Sequence, residues 1–295
     1  MPPHVVIVPT QGLCNRLRAM ASANILAKFY GSICFTLWHP EESCNCTFED
    51  LFENQLSYIN MDDVVKSSYV YNPNKHTNFL LENSPHLDSS EYLIVRGGHE
   101  FKHPEMPLHD FLREKQAFYK DLRLSKEVQK MIASHPQVKK GTVAIHFRDY
   151  VREFDEADGR LFSECSPLND FVRTARLIRR KDPDRPFLLC SNTSKAHDAL
   201  VGMGGVIYRD GADRARNSRE GILHALVDLV MMSRCDMVIG TTMSSFSDEA
   251  CFFRMIPKMC MGTEKSTEYH CYGMTSIHGQ NFLVPNQGLL RELFG

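Results

Sequence analysis

Apolar positions along the chain fall into short blocks separated by longer amphipathic stretches. Val5-Val6-Ile7-Val8 is a β-branched run of strand length, and the pattern predicts strands over 4–9, 32–37 and 92–96. A helix is expected over 15–30, with Leu17, Met20, Ala21, Ile25 and Phe29 on one face. Ala19, Ala23, Leu26 and Ala27 widen that face, and Gly31 stops the helix. From 39 to 90 the pattern weakens to a short helix over 48–52 and polar stretches containing Asn72-Pro73-Asn74. Helices over 108–122 and 125–134 follow. The second half predicts strands over 142–147, 186–190, 205–208 and 236–240. Helices are expected over 167–180, 194–201 and 219–232, with another opening at Ser245. Strands alternating with helices predict an α/β fold with parallel sheets covered by helices. The segment His135-Pro136-Gln137-Val138-Lys139-Lys140-Gly141 reads as a linker, giving Rossmann-like domains at 1–138 and 139–295.

Composition narrows the function classes. Of 295 residues, 43% are hydrophobic and 24% charged, which suits a globular chain, and a net charge of -2 excludes a protein-wide basic field for nucleic acid. The basic run over 173–185 shares a helix with Val172, Ala175, Leu177 and Ile178, so it reads as a solvated face. No apolar run approaches the ~20 residues of a membrane span. The N-terminus lacks the basic region and cleavage site of a secretory signal, so a cytoplasmic protein is expected. Two sequons, at Asn45 and Asn192, carry meaning only on a secreted chain. Among ten cysteines only Cys44-Asn45-Cys46 is a tight pair, and with no second pair no metal is expected.

Three segments could carry chemistry. The first, Pro9-Thr10-Gln11-Gly12-Leu13-Cys14-Asn15-Arg16-Leu17-Arg18, joins the first strand to the first helix. Gly12 would permit a tight turn, Asn15 could cap the helix, and Arg16 and Arg18 add charge at an anion-attracting helix start. A capped helix with surface arginines explains the same residues. The second is Ile145-His146-Phe147-Arg148-Asp149, where alternation puts His146 and Arg148 on one face of a strand. At the strand's carboxyl end such a pair could grip a diphosphate, with Asp149 pairing a neighbouring arginine or serving catalysis. The third runs from Asp236 through Ile239-Gly240 to Ser244-Ser245-Phe246-Ser247, a buried strand feeding a hydroxyl-rich turn and a helix. It offers an anion site or a plain N-cap, with Asp248 and Glu249 complementing the dipole.

Taken together, these segments resemble the fucosyltransferase-like superfamily, most closely the protein O-fucosyltransferases. Val227-Asp228-Leu229 adds to the likeness, with Asp228 and Ser244 sixteen positions apart. The resemblance implies a GT-B fold, two facing Rossmann-like domains with a cleft between them and the donor bound mainly by the second. It implies an inverting, metal-independent glycosyltransferase using a GDP- or UDP-linked sugar, with GDP-L-fucose favoured and UDP-xylose or GDP-rhamnose open. The acceptor would be a glycan or protein hydroxyl. Arg148 would hold the β-phosphate and aid departure of the nucleotide, with His146, Asp149 and Asn15 beside it in catalysis. Asp228 would read the nucleobase edge. Ser244, Ser245, Phe246 and Ser247 would hold phosphates, and Gly12, Leu13, Cys14 and Arg16 would line the donor. Family members with a carboxylate base carry Glu in the first loop, where this chain reads Gln11-Gly12-Leu13-Cys14. Base candidates are therefore Asp149, Glu153, Asp155, Glu156 and Asp158, with His99 and Glu100 as acceptor-side groups. The alternatives are a non-catalytic nucleotide-sugar or glycan-binding module and a Rossmann-type oxidoreductase or epimerase. The second lacks the glycine fingerprint, and its only Tyr-x-x-x-Lys match, Tyr71 to Lys75, contains Pro73.

Overall fold

A computed structural model describes residues 3–59, 68–71, 91–149, 164–209, 211–242, 244–262, 274–277 and 280–283. Pro73, Lys75 and the base candidates Glu153, Asp155, Glu156 and Asp158 lie outside the described residues.

The chain divides into two compact units. The first comprises Met1–Met131 with Ala215–Leu226, the second Ile132–Arg214 with Val227–Gly295. The division after Met131 falls a little before the expected linker, and the excursion of 215–226 into the first unit has no counterpart in the sequence reading. Local bonds explain that excursion: Arg219 pairs with Asp50 at 2.8 Å and Glu127 at 2.6 Å, and the Asn45 side chain donates to the Asn217 carbonyl.

The first unit holds a four-stranded parallel sheet in the order β2-β1-β4-β3, with β1 His4–Pro9, β2 Cys34–Thr36, β3 Ser68–Tyr71 and β4 Tyr92–Gly97. Val5, Val6 and Ile7 are wholly buried, which explains why β1 is an uninterrupted apolar run rather than an alternating one. Helix α1, Leu13–Tyr30, buries most of its circumference, because Ala19, Ala21, Ala23 and Ala27 are small enough for close approach. The short α2, Phe48–Leu51, is closed by a capping box between Thr47 and Asp50. Helix α3, Leu108–Asp121, buries only Phe111, Leu112, Lys115 and Tyr119. Helix α4, Lys126–Ala133, ends close to the division between the units.

The second unit is built on a seven-stranded sheet in the order β10-β11-β9-β8-β5-β6-β7. Its strands are β5 Val143–Phe147, β6 Phe187–Ser191, β7 Val206–Tyr208, β8 Met237–Thr241, β9 Lys258–Met261, β10 Met274–Ile277 and β11 Gln280–Leu283. The run from β9 to β7 is parallel, whereas β11 and β10 join antiparallel. Strands β5 and β6 are buried along their whole length, and Phe147 packs edge-on against Phe171 of helix α5, Leu168–Lys181. The basic residues of α5 behave as a solvated face, with Arg173 exposed and paired to Asp170. The remaining helices are α6 Lys195–Leu200, α7 Arg219–Ser233 and α8 Ser245–Arg254.

Candidate functional site

In parallel sheets, ligands bind beyond the carboxyl ends of the strands, and the three sequence segments fall at such ends. In the first unit, the loop after β1 is shaped differently from the expectation. Helix α1 begins at Leu13, so Asn15 lies inside its first turn, and the N-cap is Gly12 with no side-chain cap bond. Gly12 has an ordinary extended backbone, φ −67° and ψ 165°. The left-handed residue is Gln11, at φ 69°, a conformation that costs a non-glycine residue about 1 kcal/mol or more. Asn15 Nδ2 donates to Gln11 Oε1 at 2.5 Å and stabilises that turn. The glycine that the loop does require is Gly98, after β4: a Cβ there would lie 2.7 Å from the Thr10 carbonyl oxygen and 2.9 Å from Asn15 Cβ.

Arg16 does not supply surface charge. It is wholly buried, donating to the Gln11 carbonyl at 2.8 Å and the His39 carbonyl at 2.6 Å, and it pairs with Glu41 at 3.2 Å. Its guanidinium ties the loop to the segment after β2. Leu13 and Cys14 are core residues, 4% and 3% exposed. Arg18 instead sits at the mouth of the loop, donating to the Gly98 carbonyl at 2.7 Å with Nη2 3.5 Å from His99 Nδ1. Burial, and then the Arg18 charge, push His99 down to about 4, so its ring is neutral near pH 7. Glu100 is buried in an ion pair with Lys115, which fits a structural role.

In the second unit, the expected alternation holds at the end of β5. Phe147 enters the core, while the buried His146 ring lies 5.2 Å from that of Phe246 on α8. Burial first, and then the charges of Lys258 and Arg148, push His146 down to about 3. It is thus a neutral imidazole, able to donate one N–H but not to supply charge. Its Nδ1 is buried and has no hydrogen-bond partner among the described residues. Arg148 follows as a half-buried side chain, its backbone N–H bonded to Thr241 Oγ1 at 2.9 Å.

Strand β8 runs beside β5 with Gly240 opposite His146, so the turn into α8 adjoins Arg148. Gly240 has a steric reason to be glycine: a Cβ would lie 2.7 Å from Lys258 Cε and 2.8 Å from Ser247 Oγ. Lys258 is wholly buried, held by Asp248 at 2.6 Å and the Thr241 carbonyl at 2.8 Å. Burial works against its charge, but the Asp248 carboxylate together with the neighbouring Cys260 and Cys251 more than offsets burial and raises its pKa, and the Lys258–Asp248 pair fixes β9 against the first turns of α8. The four turn residues separate by role. Ser247 is wholly buried and donates back to the Ser244 carbonyl at 3.2 Å, whereas Ser244 Oγ is buried with no partner among the described residues. Ser245 and Phe246 are half-buried at the start of α8, where backbone N–H groups lack an intrahelical acceptor.

Asp149 is held on three sides: its N–H and carbonyl bond Asn192, and its carboxylate lies 2.6 Å from Lys195 Nζ. Asp228 Oδ1 receives Arg209 Nε at 2.8 Å and Nη2 at 2.6 Å. Tyr208 beside them is stacked on His197 at 4.4 Å, and the Arg214 guanidinium lies 5.0 Å from its ring centroid. The bonding roles of Asn192, Lys195, Arg209, Thr241 and Lys258 went unread in the sequence because each depends on a partner distant in sequence. The Cys44 and Cys46 thiols are buried, burial pushing Cys44 up to about 11 and Cys46 further. Among the described residues no three His, Cys, Asp or Glu side chains group as a metal site, and no helix is long and apolar enough to cross a membrane.

The fold is similar to that of solved fucosyltransferase structures. FUT1 of Arabidopsis thaliana, solved as a point mutant with GDP, matches with a TM-score of 0.60 at 14% identity over 90% of this chain and 72% of that one. The α-1,6-fucosyltransferase NodZ, solved from Bradyrhizobium, matches at 0.60 and 16% identity over 88% of this chain and 94% of its own in a crystal soaked with GDP-fucose. POFUT1 in complex with GDP matches at 0.52 and 14% identity, over 89% and 99% of the two chains. No known family profile and no curated protein matches the sequence.

Proposed function

We propose that this chain is an inverting, metal-independent glycosyltransferase that takes a sugar from a nucleoside-diphosphate donor, GDP-fucose in first place, to a glycan or protein hydroxyl. A GT-B arrangement and a cytoplasmic setting belong to the same proposal. The observation that carries it is the meeting, at the carboxyl ends of β5 and β8, of Arg148, a neutral buried His146 and the start of α8. The likeness to structures holding GDP or GDP-fucose supports the choice of donor.

Arg148 and the N–H groups opening α8 would bind the diphosphate, and Ser244 Oγ and the His146 ring would offer neutral donors beside it. In the transfer, the acceptor oxygen bonds to the anomeric carbon as the carbon–phosphate-oxygen bond breaks. The electron pair leaves with the nucleoside diphosphate, and the acceptor proton passes to a base or to the departing phosphate. Negative charge grows on that phosphate, so a fixed guanidinium stabilises the transition state more than the ground state. Asp228, braced by Arg209, would face the nucleobase.

The test is a thermal-shift panel with GDP, UDP, CDP, NAD and the sugar conjugates, with and without EDTA, followed by donor turnover. A saturating donor at about 100 times its dissociation constant adds roughly 2.7 kcal/mol. Arg148→Ala should cut turnover by about 10²–10³-fold or more, while stability changes by less than about 1 kcal/mol. Retained turnover in that variant refutes the assignment of Arg148. One observation favours a second reading, a non-catalytic binding module: the first loop reads Gln11-Gly12-Leu13-Cys14, without the Glu carried there by family members that use a carboxylate base. Nucleotide binding without turnover would select it.

A further inference from the structure

The backbone beyond the end of β5 is held by side chains in place of strand partners. The ladder with β8 runs as far as His146 opposite Gly240, and the ladder with β6 as far as Phe147 opposite Ser191. Past those points Thr241 Oγ1 accepts from the Arg148 N–H at 2.9 Å and donates to the His146 carbonyl at 3.2 Å. On the other flank Asn192 Oδ1 accepts from the Asp149 N–H at 2.8 Å, and Asn192 Nδ2 donates to the Asp149 carbonyl at 3.0 Å. That pair of bonds is the exchange an opposed residue makes in an antiparallel ladder, supplied here by one amide at the end of a parallel one. Lys195 closes the arrangement on the Asp149 carboxylate.

We infer that Thr241 and Asn192 are positioning residues of the proposed donor site, splicing Arg148 and Asp149 onto the sheet so that the Arg148 guanidinium is aimed at the diphosphate. The inference rests on the function proposed above. Thr241 is wholly buried, and among the described residues its hydroxyl bonds only the Arg148 N–H and the His146 carbonyl. The asparagine of the second sequon thus has a use inside the fold. Asp149, bonded through both backbone groups and its carboxylate, becomes the anchor of this segment. Losing either side-chain clamp frees the segment that carries the Arg148 guanidinium, an effect expected to appear as a roughly tenfold loss of affinity.

The test compares wild type with Thr241→Val, Thr241→Ser and Asn192→Ala. Calorimetric titrations use GDP and GMP, with UDP and UMP alongside, and amide hydrogen exchange is followed at Arg148 and Asp149. Thr241→Val and Asn192→Ala should lose about tenfold in affinity for the diphosphate but little for the monophosphate, because the β-phosphate is the group Arg148 would meet. Thr241→Ser keeps the hydroxyl and should restore the wild-type preference, which general loosening of the fold would not explain. Exchange at Arg148 should accelerate in Thr241→Val, and exchange at Asp149 in Asn192→Ala. Unchanged diphosphate preference in both variants overturns the inference. If the folded wild type binds none of the four nucleotides, the functional proposal falls. The exchange readings then decide the clamp alone: acceleration supports it and unchanged rates overturn it.

Discussion

Gly240→Ala tests how tightly the second unit is built around its proposed phosphate turn. A Cβ at this position would lie 2.7 Å from Lys258 Cε and 2.8 Å from both Cβ and Oγ of Ser247. Carbon atoms settle at about 3.5–4.0 Å, so both neighbours, or the Gly240 backbone itself, must give way by close to an ångström. Neither has room to do so easily. Lys258 is wholly buried and its ammonium is fixed by Asp248 and the Thr241 carbonyl, while Ser247 is wholly buried in the first turn of α8. Overpacking of this kind costs about 1–3 kcal/mol. Severing the Lys258–Asp248 pair would cost about 3–5 kcal/mol, so the structure should shift rather than break it. Reduced freedom of the unfolded chain returns about 0.4–1 kcal/mol. The expected net loss is about 1.3 kcal/mol, a fall in Tm of roughly 3–5 °C on the scale of domains of 150–250 residues. Scanning fluorimetry of the two proteins, followed by nucleotide titration of the folded variant, measures both consequences. Affinity should fall with stability, because the displaced Ser247 belongs to the turn that opens α8. A Tm equal to or above that of wild type would refute the claim that close approach dictates glycine here.

In the first unit the loop glycines should differ. Gly12→Ala, with ordinary φ and its nearest neighbour 3.8 Å away, should leave Tm unchanged or slightly raised, whereas Gly98→Ala, with a Cβ 2.7 Å from the Thr10 carbonyl, should lower it. Similar Tm values for the two variants would count against the geometry. The buried histidines predict acid sensitivity: His146 and His99 are held at about 3 and about 4, below the unfolded value of 6.5. The unfolded state therefore binds more protons between those values, so stability is fully present above about pH 6.5 and falls as the pH drops toward the folded pKa values. By about pH 5 the wholly buried His146 alone should have forfeited roughly 2 kcal/mol. A urea titration of His146→Phe should show a flatter pH profile over this window, and the same slope in both proteins would reject the assignment to that residue.

The sequence carried the sheet architecture wherever burial leaves an unambiguous trace. Strands β1, β5, β6 and β8 are apolar runs because central parallel strands are covered on both faces. Strand β9 escaped notice because it begins with Lys258, a residue that reads as solvent-exposed until Asp248, ten positions earlier, is seen to neutralise it inside the sheet. Strand β3 lies in the polar stretch where the pattern was weakest, and its parallel register with β4 is a long-range pairing that local periodicity does not record. The same distinction separates the site residues. The positions of His146 and Arg148 at a strand end and of residues 244–247 at a helix start were legible because strand alternation and a strand-to-helix turn are local properties of adjacent positions. Arg16 was misplaced because an arginine at the start of a helix suggests an anion site, whereas its real partners, the carbonyls of Gln11 and His39, come from two loops that only folding brings together. Gly12 was credited with the turn that Gln11 makes, since glycine is the usual left-handed residue and a strained glutamine declares itself only in its φ. The placement of consecutive residues could therefore be read from the chain, but the distant side chains that bond to them could not. Thr241, Asn192 and Lys258 lie between 43 and 112 positions from the residues they hold or electrostatically tune on β5.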